Sequence, residues 1–145
     1  RSYLESSPVR EVVRHLGRIE SDSTTGESGR SQILKRMRSA DVLLLIHGED
    51  PICAEYIPSK LYEYLWMQRP VLAQVDRNPQ MAKMLRQLGH TVIEWQSHEQ
   101  AVQEMVDAWV RIHQSWKQSG LPDLAQPSPY TTEAAVKKLL MHVVE

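Results

Sequence analysis

The sequence predicts an α/β chain built on a doubly wound, parallel sheet, and three observations predict it. The run "DVLLLI" (41–46) is apolar without a break, which is the pattern of a strand covered on both faces in a parallel sheet. Segments of about ten residues with helical spacing, such as "RSQILKRMRSA" (30–40) and "NPQMAKMLRQLG" (78–89), stand between the apolar runs. Strand and helix signals alternate along most of the chain, which requires βαβ crossovers and therefore parallel strands.

Each element has its own signal. "REVVRHLG" (10–17) carries a β-branched pair before Gly17 and is predicted as a short strand. "ESDSTTGESG" (20–29) is polar and glycine-bearing, a loop. In the helix over 30–40, Ile33, Leu34 and Met37 form one stripe, and Lys35, Arg36 and Arg38 face away. The strand 41–46 leads into a long loop, "HGEDPICAEYI" (47–57). "PSKLYEYLWMQ" (58–68) is a helix with Pro58 at its first position, where a missing N–H costs nothing. A strand at 70–75, a helix at 78–89 ended by Gly89, and a strand at 91–95 follow. A Ser97/Gln100 capping box opens a long helix over 97–120, with Ala101, Met105, Ala108, Trp109 and Ile112 as its apolar stripe. The proline-rich segment 121–129 reads as an extended linker to a terminal amphipathic helix, 131–144. Residues 1–145 are expected to form a single domain. Four strands are few for such a sheet, and the chain opens without Met, so a piece of a longer protein is expected.

Bulk properties exclude several classes. With 145 residues, 41% hydrophobic and 24% charged, the composition is that of an ordinary globular domain able to bury a core without staples. A formal net charge of -1 argues against a nucleic-acid partner. The longest apolar run falls far short of the ~20 residues of a membrane span. The lone Cys53 fits a reducing compartment, so a cytoplasmic location is expected. His15, His47, His90, His98, His113 and His142 show no metal-ligand spacing. No glycine-rich dinucleotide fingerprint, Walker A sequence or nucleophile elbow occurs. Trp95, Trp109 and Trp116 are expected in packing rather than in base stacking.

The stretch "EYIPSKLYEYLWMQRPVLA" (55–73) sets Glu55, Lys60 and Glu63 into an otherwise apolar run. In open α/β sheets ligands sit beyond the carboxyl ends of strands, which is where the loop 47–57 leaves. The helix beginning at Pro58 offers unpaired N–H groups and the positive end of a dipole. Ser59 adds a hydroxyl and Lys60 a charge suited to phosphate, and His47 and Gly48 begin the same ligand-facing loop. Glu63 lies five residues beyond Pro58, about 7.5 Å along the axis at ~1.5 Å per residue. A diphosphate at the helix start would place its ribose near that carboxylate, a good acceptor for a cis-diol. The competing explanation is an ion pair between Lys60 and Glu63 at spacing i, i+3 on a solvated strip.

Glu55 and Glu63 are separated by seven residues and followed by Pro70-Val71-Leu72-Ala73. With "SADVLLLI", "PSKLYEYL" and "RPVLA" in order, residues 12–75 resemble the donor-binding, C-terminal domain of retaining GT-B glycosyltransferases of the group 1 (family 4) type. From residue 76 onward only the order of elements is similar. The resemblance implies a Rossmann-like domain, one half of a GT-B architecture. It implies that Glu63 binds the ribose of a nucleotide-diphosphate sugar and that Glu55, the catalytic position, contacts the transferred sugar. Ile57, Pro58, Ser59 and Lys60 would lie near the diphosphate. No metal or other cofactor is implied. The implied partners are the nucleotide sugar and an N-terminal acceptor-binding domain of the same chain, with the parent protein at the inner face of a membrane where the acceptor is a lipid carrier. Surface polysaccharide or glycoconjugate synthesis is the implied setting, and this fragment alone is expected to be inactive.

The sequence departs from the family pattern where Tyr56, Ile57 and Pro58 replace the usual "PFG", and where Trp66 and Gln68 replace a small residue and a glycine. The alternative is a non-catalytic interaction or scaffold domain, either a degenerate glycosyltransferase or a receiver-like module. Against a receiver, Asp41 stands at the wrong end of its strand to be a phosphoacceptor.

Overall fold

The computed structural model describes residues 8–120 and 127–143. It contains, among them, five α-helices and a three-stranded parallel sheet, an α/β arrangement compatible with a Rossmann-like fold. The chain divides into two compact units between Arg36 and Met37.

In the first unit the strand predicted over 10–17 does not form. Pro8–Glu11 winds as a 3-10 turn, and Val12, Val13 and Leu16 stand exposed. A β-branched pair supplies strand propensity, but a strand persists only beside a partner ladder and under a covering face, and this segment has no ladder partner among the described residues. The polar loop closes as predicted. The Asp22 carboxylate accepts the N–H of Thr24 at 2.7 Å and of Thr25 at 3.3 Å, and these bonds hold its carboxyl below the ordinary value. Helix α1 (Gly29–Ser39) begins under the backbone of Ile19: a Cβ on Gly29 would lie 2.1 Å from the Ile19 carbonyl oxygen. Only glycine lets the two stretches pass this closely. Leu34 and Met37 are half-buried, whereas Ile33 is exposed.

The second unit holds β1 (Leu43–Ile46), β2 (Val71–Val75) and β3 (Thr91–Glu94) in that spatial order. Leu43 pairs with Val71, and Leu72 with Thr91. Helix α2 (Ser59–Trp66) connects β1 to β2, and α3 (Pro79–Gln87) connects β2 to β3. Pro58 is the N-cap of α2 with φ -64° and ψ 137°, so the helix begins one residue later than predicted. Asn78 caps α3 through its side chain. Ser97 caps the long helix α4 (His98–Ser119), as its sequence signal requires, and Gly120 ends it with φ 73°.

Burial corrects the expectation for β1. Leu43 and Leu45 are buried, but Leu44 is 40% and Ile46 66% exposed, so the strand alternates. Among the described residues it is the edge of the sheet with one uncovered face; the strand covered on both faces is β2, where every residue but Gln74 is buried. Leu72, Ile93 and Ala108 form a core cluster, with Val42, Met105 and Ile112 packed against it. Trp109 and Trp116 are exposed rather than packed, around a hollow of about 190 Å³ bordered also by Asp41 and His113.

The linker predicted over 121–129 falls largely outside the described residues. From Tyr130 the chain meets the outer side of α2: the Trp66 indole N–H donates to the Tyr130 carbonyl at 3.4 Å, and the Tyr62 and Tyr130 rings meet edge to face at 6.0 Å. Gln68 takes φ 54°, the conformation for which a glycine is usual. Helix α5 (Thr132–Val143) follows, capped by the Thr131 hydroxyl. No helix among the described residues is long and apolar enough to cross a membrane.

Buried His90 uses Nδ1 to accept the Val71 N–H at 3.3 Å, tying the start of β2 to the turn before β3. Burial holds this imidazole below its ordinary value of 6.5, so the folded state binds a proton less readily than the unfolded chain. Its contribution to stability is therefore complete above that value and is lost as pH falls through the folded-state pKa. Melting curves taken from pH 8 to pH 5.5 are expected to show a shallower acid decline for His90→Gln than for wild type. Equal slopes would assign the decline to other groups.

Candidate functional site

The carboxyl end of β1 delivers His47. Its backbone N–H donates to the Gln74 carbonyl at 2.9 Å, extending the ladder by one residue and fixing the ring on the sheet rather than on a loop. The residue is 4% exposed, and neither ring nitrogen has a hydrogen-bond partner. Native proteins rarely leave a buried donor and acceptor in this condition unless something else satisfies them.

The loop that follows is compact. Gly48 lies so near Cys53 that a Cβ would stand 3.2 Å from its Sγ. The Asp50 carboxylate accepts the Ile52 N–H at 3.0 Å and caps a 3-10 turn over Pro51–Ala54, and the Glu55 N–H closes it on Ile52. The Tyr56 ring stands edge-on to His47, with centroids 6.3 Å apart. A hydrogen bond with the Cys53 thiol, 3.9 Å away, followed by charge interaction with the same group, raises the Tyr56 phenol above its ordinary value.

Helix α2 starts without a side-chain cap. Its first turn holds Lys60, whose ammonium lies 5.2 Å from the Tyr64 ring centre, and Tyr64 in turn donates to the Leu44 carbonyl of β1 at 3.4 Å. Between the end of β1 and the start of α2 is a pocket of about 290 Å³, bordered by His47, Gly48, Tyr56, Pro58 and Lys60. An uncapped helix start, an ammonium and an imidazole with hydrogen-bonding capacity to spare suit a compact anion.

The structure thus brings four of the eight predicted residues together: His47, Gly48, Pro58 and Lys60. Glu55 is exposed at the end of the 3-10 turn, Ser59 is exposed, and Ile57 and Glu63 are half-buried; none of these four borders the pocket. Sequence reasoning treated Tyr56 only as a departure, whereas it is a wall of the pocket. It also passed over Asp76, Arg77 and Asn78. Their signal was present, a polar triplet at the carboxyl end of a predicted strand, where ligand-facing residues gather. Among the described residues no group of three or more His, Cys, Asp or Glu could hold a metal ion.

Compared with protein families, curated proteins and solved structures, the chain gives no match.

Proposed function

We propose that this chain is the donor-binding half of a retaining, GT-B-type glycosyltransferase, gripping a nucleoside-diphosphate sugar whose sugar passes to an acceptor in surface polysaccharide or glycoconjugate synthesis. One observation carries the proposal: a buried histidine with two unpartnered nitrogens borders a pocket at an uncapped helix start beside a lysine. The diphosphate is the group whose charge and acceptor oxygens suit that pocket, with His47 donating a hydrogen bond and Lys60 supplying charge. As the sugar leaves, negative charge grows on the diphosphate, and the same groups stabilise it more strongly in the transition state than before. Glu63, one and a half turns along α2, takes the ribose hydroxyls, and Glu55 takes the transferred sugar. An upstream domain of the parent protein brings the acceptor, and closure of the two halves assembles the site.

A second explanation, a scaffold domain that has lost chemistry, is favoured by the position of Glu55 and Glu63 outside the pocket. Titrating the chain with UDP, GDP and dTDP while following amide chemical shifts separates the two. Donor binding gives shifts at residues 47–48 and 57–63. Glu63→Ala is expected to weaken binding about 10- to 100-fold, the loss of about 1.5–3 kcal/mol from charged hydrogen bonds to the ribose. No shift with any of the three nucleotides, in a folded sample, leaves the scaffold explanation standing.

A further inference from the structure

Three consecutive residues leave the carboxyl end of β2, and two of them reach the loop that follows β1. Asp76 is buried, and its Oδ2 accepts the Arg77 Nε–H at 2.9 Å. Arg77 itself adopts φ 46°, a left-handed conformation unusual for a side chain of this size, and its Nη2 donates to the Glu49 carbonyl. Asn78 is 4% exposed, and its Nδ2 donates to the Cys53 carbonyl at 3.1 Å and to the Tyr56 carbonyl at 3.0 Å. Its Oδ1 accepts the Met81 N–H at 2.9 Å. The partners fix which way the amide points: two carbonyls demand the nitrogen on one side, and an N–H demands the oxygen on the other.

Capping α3 needs only the oxygen, which Ser, Thr or Asp would supply equally well. The two donated bonds are surplus to capping. They end on residues 22 and 25 positions away, at the two sides of the turn that precedes Pro58. With the bond from Arg77, the loop is held at Glu49, Cys53 and Tyr56. The last of these anchors fixes the backbone of the residue whose ring meets His47 edge-on at the border of the pocket.

We propose that Asn78, assisted by Arg77, is a positioning residue for the nucleoside-diphosphate site: it locks the loop 48–56 so that Tyr56 walls the pocket that His47 borders. The proposal rests on the function proposed above for that pocket. A preformed loop spares the ligand the cost of ordering it, so releasing the loop lowers affinity by the fraction of chains still holding the bound shape.

Asn78→Ser and Asn78→Ala separate positioning from capping. Serine retains an acceptor for the Met81 N–H but donates nothing to the loop; alanine loses both. In Asn78→Ser, hydrogen exchange is expected to quicken at amides 50–56 while Met81 keeps its protection, the His47 ring resonances shift, and affinity for the nucleotide that wild type binds best among UDP, GDP and dTDP falls about tenfold. In Asn78→Ala protection is lost at Met81 as well. Wild-type loop exchange or unchanged nucleotide affinity in Asn78→Ser overturns the proposal. If wild type binds none of the three nucleotides, the substrate named here fails together with the proposed function, and the exchange data decide separately whether the lock on the loop exists.

Discussion

A His47→Leu chain is expected to melt higher than wild type and to bind nucleoside diphosphates at least about tenfold more weakly. The two effects share one cause. The imidazole lies buried with both nitrogens unpartnered, a condition that costs about 1–3 kcal/mol. Leucine has a similar volume and no polar atoms, so it removes that penalty. Part of the gain is offset by the lost edge-to-face contact with Tyr56, worth about 0.5–1.5 kcal/mol. A net gain near 1 kcal/mol raises the melting temperature of a chain this long by about 2–4 °C. If the proposed donor binds here, binding moves the other way, because a hydrogen bond from the ring to a charged phosphate oxygen would contribute about 1.5–3 kcal/mol. Calorimetric melting and nucleotide titration of the same two samples check both signs. A leucine chain that melts lower and binds as well as wild type would remove His47 from the site.

Leu72→Ala should be among the most damaging single truncations in the core, costing about 3 kcal/mol, within the range of about 2–5 for such deletions. Leu72 is fully buried on the central strand and packs with Ile93 and Ala108. Three features prevent the site from closing over the gap. The backbone of β2 is pinned by ladders on both sides, Ala108 has no atoms with which to fill the space, and the adjacent Ala73 faces away along the pleat. The matched control is Leu44→Ala on β1, where the side chain is 40% exposed; it should cost less than about 1 kcal/mol. Urea unfolding of the two variants side by side is decisive. Equal losses would mean that β1 is covered as fully as β2.

That pair of leucines also shows what the sequence can and cannot say. "DVLLLI" and "PVLAQV" both read as strands, and both form them. Which one is central depends on what pairs with each edge, and that is a property of the whole sheet. The less continuous run, interrupted by Gln74, is the one buried on both faces. Capping signals were more reliable because they are local: Ser97 opens α4 as its chemistry requires. The strand expected at 10–17 failed for the opposite reason, since β-branching gives local preference and no partner.

The pocket was half legible. The strand-end histidine and the helix start follow from the general position of ligand sites in α/β sheets, and both border one pocket. Tyr56 and Asn78 could not be found that way. Their roles depend on hydrogen bonds and ring contacts between residues far apart in the chain, and an asparagine before a proline already had a sufficient local role as a cap.

The same Asn78-Pro79 pair bears on how the protein ages. Asparagine usually deamidates when the backbone nitrogen of the next residue attacks the side-chain carbonyl, closing a succinimide that opens to aspartate. Proline's nitrogen carries no hydrogen and is already bonded three ways, so that ring cannot form by this route. At this position the conversion would replace the donor facing the Cys53 and Tyr56 carbonyls with an acceptor, turning two attractions into repulsions. The proline that starts α3 therefore also shields its neighbour's amide from this route of decay, and with it the two bonds that hold the loop beside the pocket.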